Sequence, residues 1–391
     1  CGDQKIILYY NKSNLYKTRT MTSLMAISDQ KIVVAKGMSV DIYDSADHIQ
    51  IQIPKTDGDN DNIVDITFSP DCTHLTLITS TSKRLFVYNF ADIQSPKLFH
   101  LPRAANKATF IEENNNILIA DKTGDVLLFN INDEKDKGVK LFGHLSLLLD
   151  VIVTDDRKFI ITCDRDEKIR VSCYPNTYNI QTFCLGHKEF VKHLKLLPHN
   201  KMYLTSSSGD GTIKIWNYMS GKLCYEIDTS GDFNETGKKE FIDSMDKDGV
   251  EVKTLPIIHF SISAISENTS IAAAAVYSLN KVLLYSIRED DGKFEHFLVH
   301  TISLQYFPAS IQFNGSSLYV FDSDQDKVEV YTQVKDEKHF DLVQTINVFI
   351  GETIIDIISE SDLIKVLYKR KFDNVQEYIE RKKLRLEKKI T

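Results

Sequence analysis

The chain has 391 residues, of which 42% are hydrophobic and 26% charged, and its formal net charge is −8 at pH 7. This composition excludes an intrinsically disordered chain, and the acidic balance excludes a protein that binds nucleic acid over its whole surface, because phosphate binding needs a concentrated positive field. A chain longer than about 250–300 residues needs either several domains or a fold that grows by repetition.

A short pattern of apolar strands and polar turns recurs at intervals of about 40 residues, which is the period of β-propeller blades. Period-2 alternation of Val, Ile, Tyr and Phe dominates each repeat. Seven copies are present, at 32–44, 63–90, 108–130, 143–175, 186–218, 257–287 and 309–334. The sequence therefore predicts an all-β fold, a seven-bladed propeller that occupies residues 1–369.

The clearest repeat begins at Gly186 and His187 and ends in the strand TIKIWNY (212–218). Between its strands, Asp210 and Gly211 supply the positive φ angles that a tight hairpin requires. His187, Asp210 and Trp216 stand at the spacing of a buried hydrogen-bond chain of the WD-repeat type, which favours a structural tetrad over a catalytic His/Asp pair. His144 and Asp166 repeat the spacing one blade earlier, where Ser172 replaces the tryptophan.

Two segments between and after the repeats carry weaker signals. The polar stretch 229–253 reads as a long loop between the fifth and sixth blades, and it is the best candidate for disorder. Because an open array of blades would leave an exposed sheet edge, we expect ring closure by a C-terminal strand. Either ETIIDIIS (352–359) or LIKVLYK (363–369) fits that role.

The last residues, 370–391, change character. Apolar residues recur there at helical spacing and basic residues crowd the second half, which predicts a short basic helical arm outside the propeller. A solvated tail is one interpretation, and an arm laid along a phosphate backbone is the other. In the second case the RNA-binding residues are Arg381, Lys382, Lys383 and Arg385.

Signals for enzyme chemistry are weak throughout the sequence. The six cysteines contain no CxxC pair and fall partly in apolar runs, which favours reduced thiols in the cytosol or nucleus. The histidines do not fall at metal-ligand spacings, and no G-x-G-x-x-G occurs. We expect no catalytic residues, no metal and no cofactor on this chain.

The segment CDRDEKIR (163–170) places six charges around one hairpin. A solvated hairpin explains such a cluster, and so does a partner-binding patch, for which mixed signs favour protein recognition over RNA affinity. The hairpin DKTGDV (121–126), one blade earlier, carries further charges on the adjacent edge. Two neighbouring charged hairpins predict a contiguous docking surface.

The segments LFGHLSLLLDVIV, FIITCDRDEKIRVSCYP and CLGHKEFV within 141–191, together with KRKFDNVQEYIERKK (369–383), resemble the WD-repeat, non-catalytic subunits of tRNA (guanine-N7-)-methyltransferase. The resemblance implies a heterodimer whose Rossmann-like partner subunit binds S-adenosylmethionine and methylates N7 of a guanine in the tRNA variable loop. It also implies a location in the nucleus, with the cytoplasm as a further compartment. The docking residues that it implies are Lys122, Asp166, Glu167, Lys168 and Arg170, of which Arg170 pairs with an acidic group of the partner.

Two other functions compete with this interpretation. A WD40 scaffold of another complex, such as a substrate adaptor of a ubiquitin ligase or a chromatin-associated propeller, would use the same fold. A stand-alone enzyme would need an active site in the central channel. The identity of a copurified partner discriminates among the three.

Overall fold

The computed structural model describes residues 23–28, 30–44, 48–53, 61–111, 115–233, 235–334, 339–348 and 360–369. These residues form seven antiparallel sheets of four strands each, arranged as the blades of a propeller, so the predicted fold is confirmed. Every blade consists of four strands that are consecutive in the chain. Within the described ranges, no helix is both long and apolar enough to cross a membrane.

The strands of blades 1 to 4 follow one another in chain order. Blade 1 contains β1 (Ser23–Ile27), β2 (Lys31–Lys36), β3 (Ser39–Asp44) and β4 (His48–Gln52). Blade 2 contains β5 (Ile63–Phe68), β6 (His74–Thr79), β7 (Arg84–Asn89) and β8 (Asp92–His100). Blade 3 contains β9 (Ala105–Ile111), β10 (Asn116–Asp121), β11 (Asp125–Asn130) and β12 (Val139–Gly143). Blade 4 contains β13 (Leu148–Val153), β14 (Phe159–Asp164), β15 (Ile169–Cys173) and β16 (Ile180–Cys184).

The remaining blades are interrupted by helical segments. Blade 5 contains β17 (Val191–Leu196), β18 (Tyr203–Ser208), β19 (Thr212–Asn217) and β20 (Lys222–Asp228). A 3-10 helix (Thr229–Asp232) and α1 (Glu235–Lys247) follow. Blade 6 contains β21 (Ile257–Ser266), β22 (Thr269–Val276), β23 (Lys281–Asp290) and β24 (Lys293–Ser303), and blade 7 contains β25 (Ser310–Asn314), β26 (Ser317–Asp322), β27 (Lys327–Gln333) and β28 (Phe340–Asn347). The last described element is α2 (Glu360–Leu367).

The core lies between the blades. The described residues form seven apolar clusters of buried side chains, one at each boundary between neighbouring blades. The second strand of each blade is buried on both of its faces, as the pattern of β18 shows, because another blade packs on either side. The outer strands, such as β28, are largely exposed. Burial therefore falls from the middle of each blade toward its rim.

Side-chain contacts join the strands and hairpins of blade 7 to those of blade 1. Gln312 in β25 donates from Nε2 to the carbonyl oxygen of Ile27 at 3.2 Å and accepts from the Ile27 N–H at 3.1 Å. The ammonium of Lys36 lies 2.9 Å from the carboxylate of Asp326. Blade contacts, rather than an exchanged strand, close the ring within the part of the chain that the structure describes.

Two sequence predictions on the second half of the chain are wrong. LIKVLYK (363–369) is not a closing strand, because it lies in α2 and the residues just after it, and Ile364 and Tyr368 stand one helical turn apart on a buried face. The supposed loop at 229–253 contains a 3-10 helix and α1, whose Phe241 and Met245 pack into the cluster between blades 5 and 6. Phe241 and Met245 are four residues apart, so a single helical face buries both. The alternative closing strand at 352–359 and the predicted basic helix at 370–391 lie outside the described residues.

Candidate docking surface on blades 3 and 4

One face of the propeller carries the hairpins between the second and third strands of the blades, together with the crossovers between blades; we call it the hairpin face. Backbone hydrogen bonds join each hairpin to a crossover, as from the N–H of His144 to Gly124 O (2.7 Å) and from Arg165 to Leu147 O (2.9 Å). Three hairpins matter here, the blade-3 hairpin (121–125), the blade-4 hairpin (164–168) and the blade-5 hairpin (208–212). All three lie side by side on this face.

A network of hydrogen bonds between side chains stabilises the blade-5 hairpin from the interior of the propeller. His187 contacts Asp210 through Nδ1 (3.0 Å) and Ser206 through Nε2 (2.8 Å), and the indole N–H of Trp216 donates to Ser206 Oγ at 2.8 Å. Burial lowers the pKa of the His187 imidazole, which is therefore neutral. Burial alone would raise the pKa of Asp210, but hydrogen bonds from His187 and Thr212 bring it well below its ordinary value.

The geometry of this hydrogen-bond network indicates a structural role rather than a catalytic one. His187, Ser206 and Trp216 are buried, and His187 itself is only 5% exposed, so no substrate atom reaches the histidine. This hydrogen-bond network joins the crossover that contains His187 to the second and third strands of blade 5. Ser206, which bridges the imidazole and the indole, fills the hydroxyl position of the WD-repeat network.

In blade 4 the histidine network uses a different aspartate from the predicted one. His144 contacts Asp164 through Nδ1 and Thr162 through Nε2, each at 2.8 Å, and the expected pairing with Asp166 is wrong. The pairings Cys163 with Ile169 and Ser207 with Ile213 align the two hairpins. In that alignment Asp166 stands where Asp210 stands in blade 5, and Asp164 stands where Ser208 does. A carboxylate at the end of β14 therefore reaches the imidazole first.

As a result, the tip of the blade-4 hairpin keeps its charges away from the interior. Asp166 is partly exposed, and its Oδ1 lies 3.8 Å from Arg165 Nε. Lys168 is exposed, and its ammonium donates to the Asp166 carbonyl oxygen at 3.2 Å. Glu167 accepts from the ammonium of Lys369, which belongs to the segment after α2. The structure thus brings Asp166, Glu167 and Lys168 together on one exposed turn.

Arg170, just after this turn, braces blade 4 against blade 3. Its guanidinium donates to Ser172 Oγ at 2.9 Å, to Gly143 O at 3.1 Å and to Thr177 O at 3.4 Å. The same group lies over the Phe142 ring at 4.5 Å from the centroid. Burial lowers the pKa of Arg170. Its hydrogen bonds hold the end of β12 in place, so Arg170 supports the surface from behind the hairpin.

Lys122 lies at the tip of the blade-3 hairpin, and its side chain is exposed. Desolvation of the ammonium lowers the pKa of Lys122. Gly124, in the same hairpin, has φ of +101°, and an added Cβ would come within 2.6 Å of His144 O. This close approach requires glycine. The blade-3 hairpin therefore touches the crossover that itself contacts the blade-4 hairpin, and the two charged turns form one surface.

Two exposed leucines on this surface escaped the sequence analysis. Leu145, next to His144, is fully exposed, and Leu185, two residues before His187, is 61% exposed. Apolar side chains on an exposed and partly charged surface are typical of the anchors of protein interfaces. Both leucines lie in apolar runs, so alternation alone assigns them to the core. Their place beside the Gly-His pairs was the available signal.

The residues of the proposed RNA-binding arm, Arg381, Lys382, Lys383 and Arg385, lie outside the described residues. Within the described ranges, the blade-3 hairpin that carries Lys122 and the blade-4 hairpin both contact the crossover 144–147. His187, Asp210 and Trp216 belong to a separate internal network. A continuous patch of mixed charge around Leu145 can bind a protein surface of complementary charge.

Comparisons with known proteins point to one family. Residues 132–347 match the family model described as "tRNA methyltransferase TRM82 WD40 domain". The chain is 31% identical to the tRNA (guanine-N(7)-)-methyltransferase non-catalytic subunit wuho of Drosophila mojavensis, over 83% of this chain and 81% of that protein. It is 32% identical to the non-catalytic subunit wdr4 of Xenopus laevis, over 84% and 81% of the two chains. A chain of a mitotic checkpoint complex superposes with a TM-score of 0.62 at 13% identity, over 78% of this chain and 86% of that one, which supports the fold alone.

Proposed function

This chain belongs to the family of WD-repeat, non-catalytic subunits of tRNA (guanine-N(7)-)-methyltransferase, and we propose that it activates the enzyme by docking the catalytic subunit on blades 3 and 4. In the proposed heterodimer, the partner binds S-adenosylmethionine and methylates N7 of a guanine in the variable loop of tRNA. This chain contributes no catalytic group. Docking restricts the partner to conformations that present its cofactor and RNA loops correctly, which is a population shift.

The observation that carries this proposal is the continuous patch around Leu145. Backbone hydrogen bonds hold the blade-3 and blade-4 hairpins against the crossover that carries Leu145. The charged residues Lys122, Asp166, Glu167 and Lys168 on these hairpins thus flank an exposed apolar side chain, as a charged rim flanks an interface anchor. Mixed charges steer and orient a protein partner, whereas a phosphate backbone requires one sign. The patch thus favours a protein partner over direct binding of RNA at this place.

Arg170 remains part of the proposed interface. Its positive charge attracts an acidic group of the partner. Its hydrogen bonds to the carbonyl oxygens of Gly143 and Thr177 stabilise the local backbone of blades 3 and 4. Loss of this side chain would therefore weaken docking in two ways, through charge and through the position of β12. A substitution at Arg170 does not separate the two effects, so the exposed lysines give the cleaner test.

The basic arm is the proposed contact with RNA. Arg381, Lys382, Lys383 and Arg385 would bind tRNA phosphates without reading sequence, as suits an accessory subunit. Removal of residues 370–391 should then reduce the salt dependence of tRNA binding by the complex, because each lost phosphate contact lowers the slope. An unchanged slope would reject the arm. We also propose residence in the nucleus and, in part, the cytoplasm, which cell fractionation tests.

Reconstitution of tRNA N7-guanine methylation tests the docking proposal. The catalytic subunit is assayed alone, with the wild-type chain, and with a Lys122→Glu/Lys168→Glu variant. The matched control is Lys281→Glu, which changes an exposed lysine at the corresponding hairpin of blade 6. We expect activation by the wild type and the control, and at least a tenfold loss with the double variant. Activity that is indifferent to the wild-type chain would reject the proposal, and so would a copurified ubiquitin ligase or chromatin complex in place of a methyltransferase.

A further inference from the structure

The tip of the blade-4 hairpin carries a side chain where the backbone favours glycine. Glu167 has φ of +71°, which lies in the left-handed region. In the register of the flanking strands, Glu167 corresponds to Gly211 of blade 5 (φ +74°) and to Gly124 of blade 3 (φ +101°). Glycine adopts such angles freely, whereas a residue with a β-carbon is strained by the carbonyl oxygen that follows it. Strain at an exposed turn indicates that the carboxylate of Glu167 has a role there.

The carboxylate of Glu167 forms an ion pair with a distant part of the chain. It accepts from the ammonium of Lys369, which follows it by 202 residues. Burial alone would lower the pKa of Lys369, but the hydrogen bond to Glu167 and the negative charges of Asp166 and Glu189 raise it. Lys369 is therefore charged and interacts with acidic side chains of blade 4 and of the crossover to blade 5. The ion pair joins the tip of the hairpin to the segment after α2.

A buried neighbour holds Lys369 in this place. The hydroxyl of Tyr368 donates to Gly209 O, in the blade-5 hairpin, at 3.0 Å, and its ring lies edge-on to Phe190 with centroids 5.0 Å apart. Ile364, one helical turn earlier, is buried in the same cluster between blades 5 and 6. We call residues 364–369 the clasp. Because the buried tyrosine fixes the backbone beside Lys369, the ion pair costs less conformational entropy than a pair between two mobile side chains.

A similar combination occurs where blade 7 meets blade 1. Asp326, in the blade-7 hairpin, has φ of +50°, and its carboxylate accepts from the ammonium of Lys36 at 2.9 Å. In both places a residue other than glycine has a positive φ and presents a carboxylate to a lysine of another element. Aspartate tolerates this conformation better than glutamate does. The strain at Glu167 is therefore the greater of the two, and its longer side chain is what reaches Lys369.

We infer that Glu167 is a positioning residue of the docking surface: its ion pair with Lys369 attaches the clasp to the blade-4 hairpin and orders the turn that carries Asp166 and Lys168. This inference rests on the proposed function for the docking of the catalytic subunit, whereas the ion pair is a property of the free chain. A surface that is ordered before binding has the higher affinity, because less conformational freedom is lost on association. The clasp also adds the half-exposed ammonium of Lys369 to the charged rim of the patch.

The ion pair is tested first on the free chain, by hydrogen exchange of the amides in 164–168 and 364–369. Glu167→Lys should increase exchange in both segments by about fivefold, and Glu167→Lys/Lys369→Glu, in which the two charges are exchanged, should restore most of the protection. Glu167→Gly should also increase exchange in 364–369, although glycine suits the turn itself. Exchange in blades 1 to 3 is the control for global folding. Unchanged exchange in Glu167→Lys, or no recovery in the exchanged pair, would overturn the inference.

The role in docking is tested by titration of each variant with the catalytic subunit. We expect Glu167→Lys and Lys369→Glu each to weaken binding by about fivefold, and the exchanged pair to bind within about twofold of the wild type. The matched control is Lys201→Glu, which breaks an exposed ion pair with Asp155 on the opposite face of blades 4 and 5 and should bind normally.

The outcomes separate this inference from the proposed function. If the single reversals weaken binding and the exchanged pair does not recover it, Glu167 contacts the partner directly and the inference is overturned, while docking on blades 3 and 4 stands. Single reversals that bind like the wild type would overturn it as well. If the wild-type chain itself does not bind the catalytic subunit, the proposed function fails together with the docking role, and exchange in the free chain still decides whether the ion pair holds the clasp.

Discussion

Blades 4 and 5 solve the same structural problem with different aspartates. In blade 5, Asp210 at the hairpin tip turns inward to His187, and Trp216 completes the buried network. In blade 4, Asp164 at the end of β14 contacts His144, so Asp166 at the tip is released. The difference is that the aspartate at the hairpin tip serves the internal network in blade 5 and lies outside it in blade 4. One carboxylate two residues earlier bonds the histidine, so the turn is left free for the proposed docking of the catalytic subunit.

The positions after the hairpins complete the contrast. Trp216 in blade 5 is replaced by Ser172 in blade 4, whose hydroxyl accepts from Arg170. Blade 5 is thus stabilised by the buried indole of Trp216, and blade 4 by the guanidinium of Arg170, which bonds the Gly143 carbonyl oxygen of blade 3. Four substitutions test this difference between the two blades, and the largest effect is expected at Trp216.

Trp216→Ala should have the largest effect, a loss of about 3–5 kcal/mol in the free energy of unfolding, because a fully buried indole leaves a cavity and Ser206 loses a donor. Urea denaturation measures it. The matched change in blade 4, Ser172→Ala, should cost about 1 kcal/mol, the value of one hydrogen bond. Equal losses in the free energy of unfolding for Trp216→Ala and Ser172→Ala would contradict the different roles assigned to the two positions.

Leu145→Asp should weaken binding of the catalytic subunit by about 2 kcal/mol, or roughly thirtyfold, with no loss of stability, since the side chain is fully exposed. Isothermal titration calorimetry measures the affinity. Leu342→Asp, on the exposed outer strand of blade 7, is the matched control and should bind normally. If both variants bind equally well, Leu145 is not an anchor.

Asp164→Ser should make the blade-4 hairpin resemble that of blade 5, where serine stands at this position. We expect Asp166 to turn inward to His144, with a loss of about 1–2 kcal/mol in stability and about tenfold in partner affinity. The paired measurements are thermal unfolding and a binding titration. The double variant Asp164→Ser/Asp166→Ala leaves His144 without a carboxylate and should be less stable than the single one. A single variant with unchanged affinity would show that release of Asp166 is not needed.

Glu189 gives the smallest effect and a pH dependence. Burial, with Glu167 and Asp210 nearby, raises the pKa of Glu189 from its ordinary 4.5 to about 7. A carboxyl whose pKa is raised on folding stabilises the fold below its unfolded pKa, and that stability is lost as the pH rises through about 7. Glu189→Gln should therefore gain about 1 kcal/mol over the wild type at pH 8 after solvent screening, and almost nothing at pH 5. Urea midpoints across pH 5–8 test this, and a constant difference would contradict it.

The fold could be predicted from the sequence because the pattern that specifies each blade lies within one continuous segment. Alternating strands and the Asp210-Gly211 turn carry the pattern without help from distant residues. α1 was missed because Phe241 and Met245 are sparse among charges, and their burial depends on a surface made by blades 5 and 6. For 363–369, apolar residues satisfy both the strand and the helix period, and only the pocket around Phe190 selects the helix.

The candidate docking surface was predictable in part. Charge density located the blade-4 hairpin, but two aspartates in CDRD are within reach of a histidine, and only the register of β14 with β15 decides between them. Leu145 was hidden because exposure is a property of the assembled face rather than of the local pattern. Arg170 stood out as a charge, whereas its bonds to Gly143 and Thr177 depend on residues 27 positions before and 7 positions after it.

The most direct test of docking on blades 3 and 4 is hydrogen exchange of this chain with and without the catalytic subunit. The account predicts protection at 121–125, 143–147 and 164–168, with no change in the blade-5 network around His187. Protection confined to blades 6 and 7, or its absence from the blade-4 hairpin, would contradict the account.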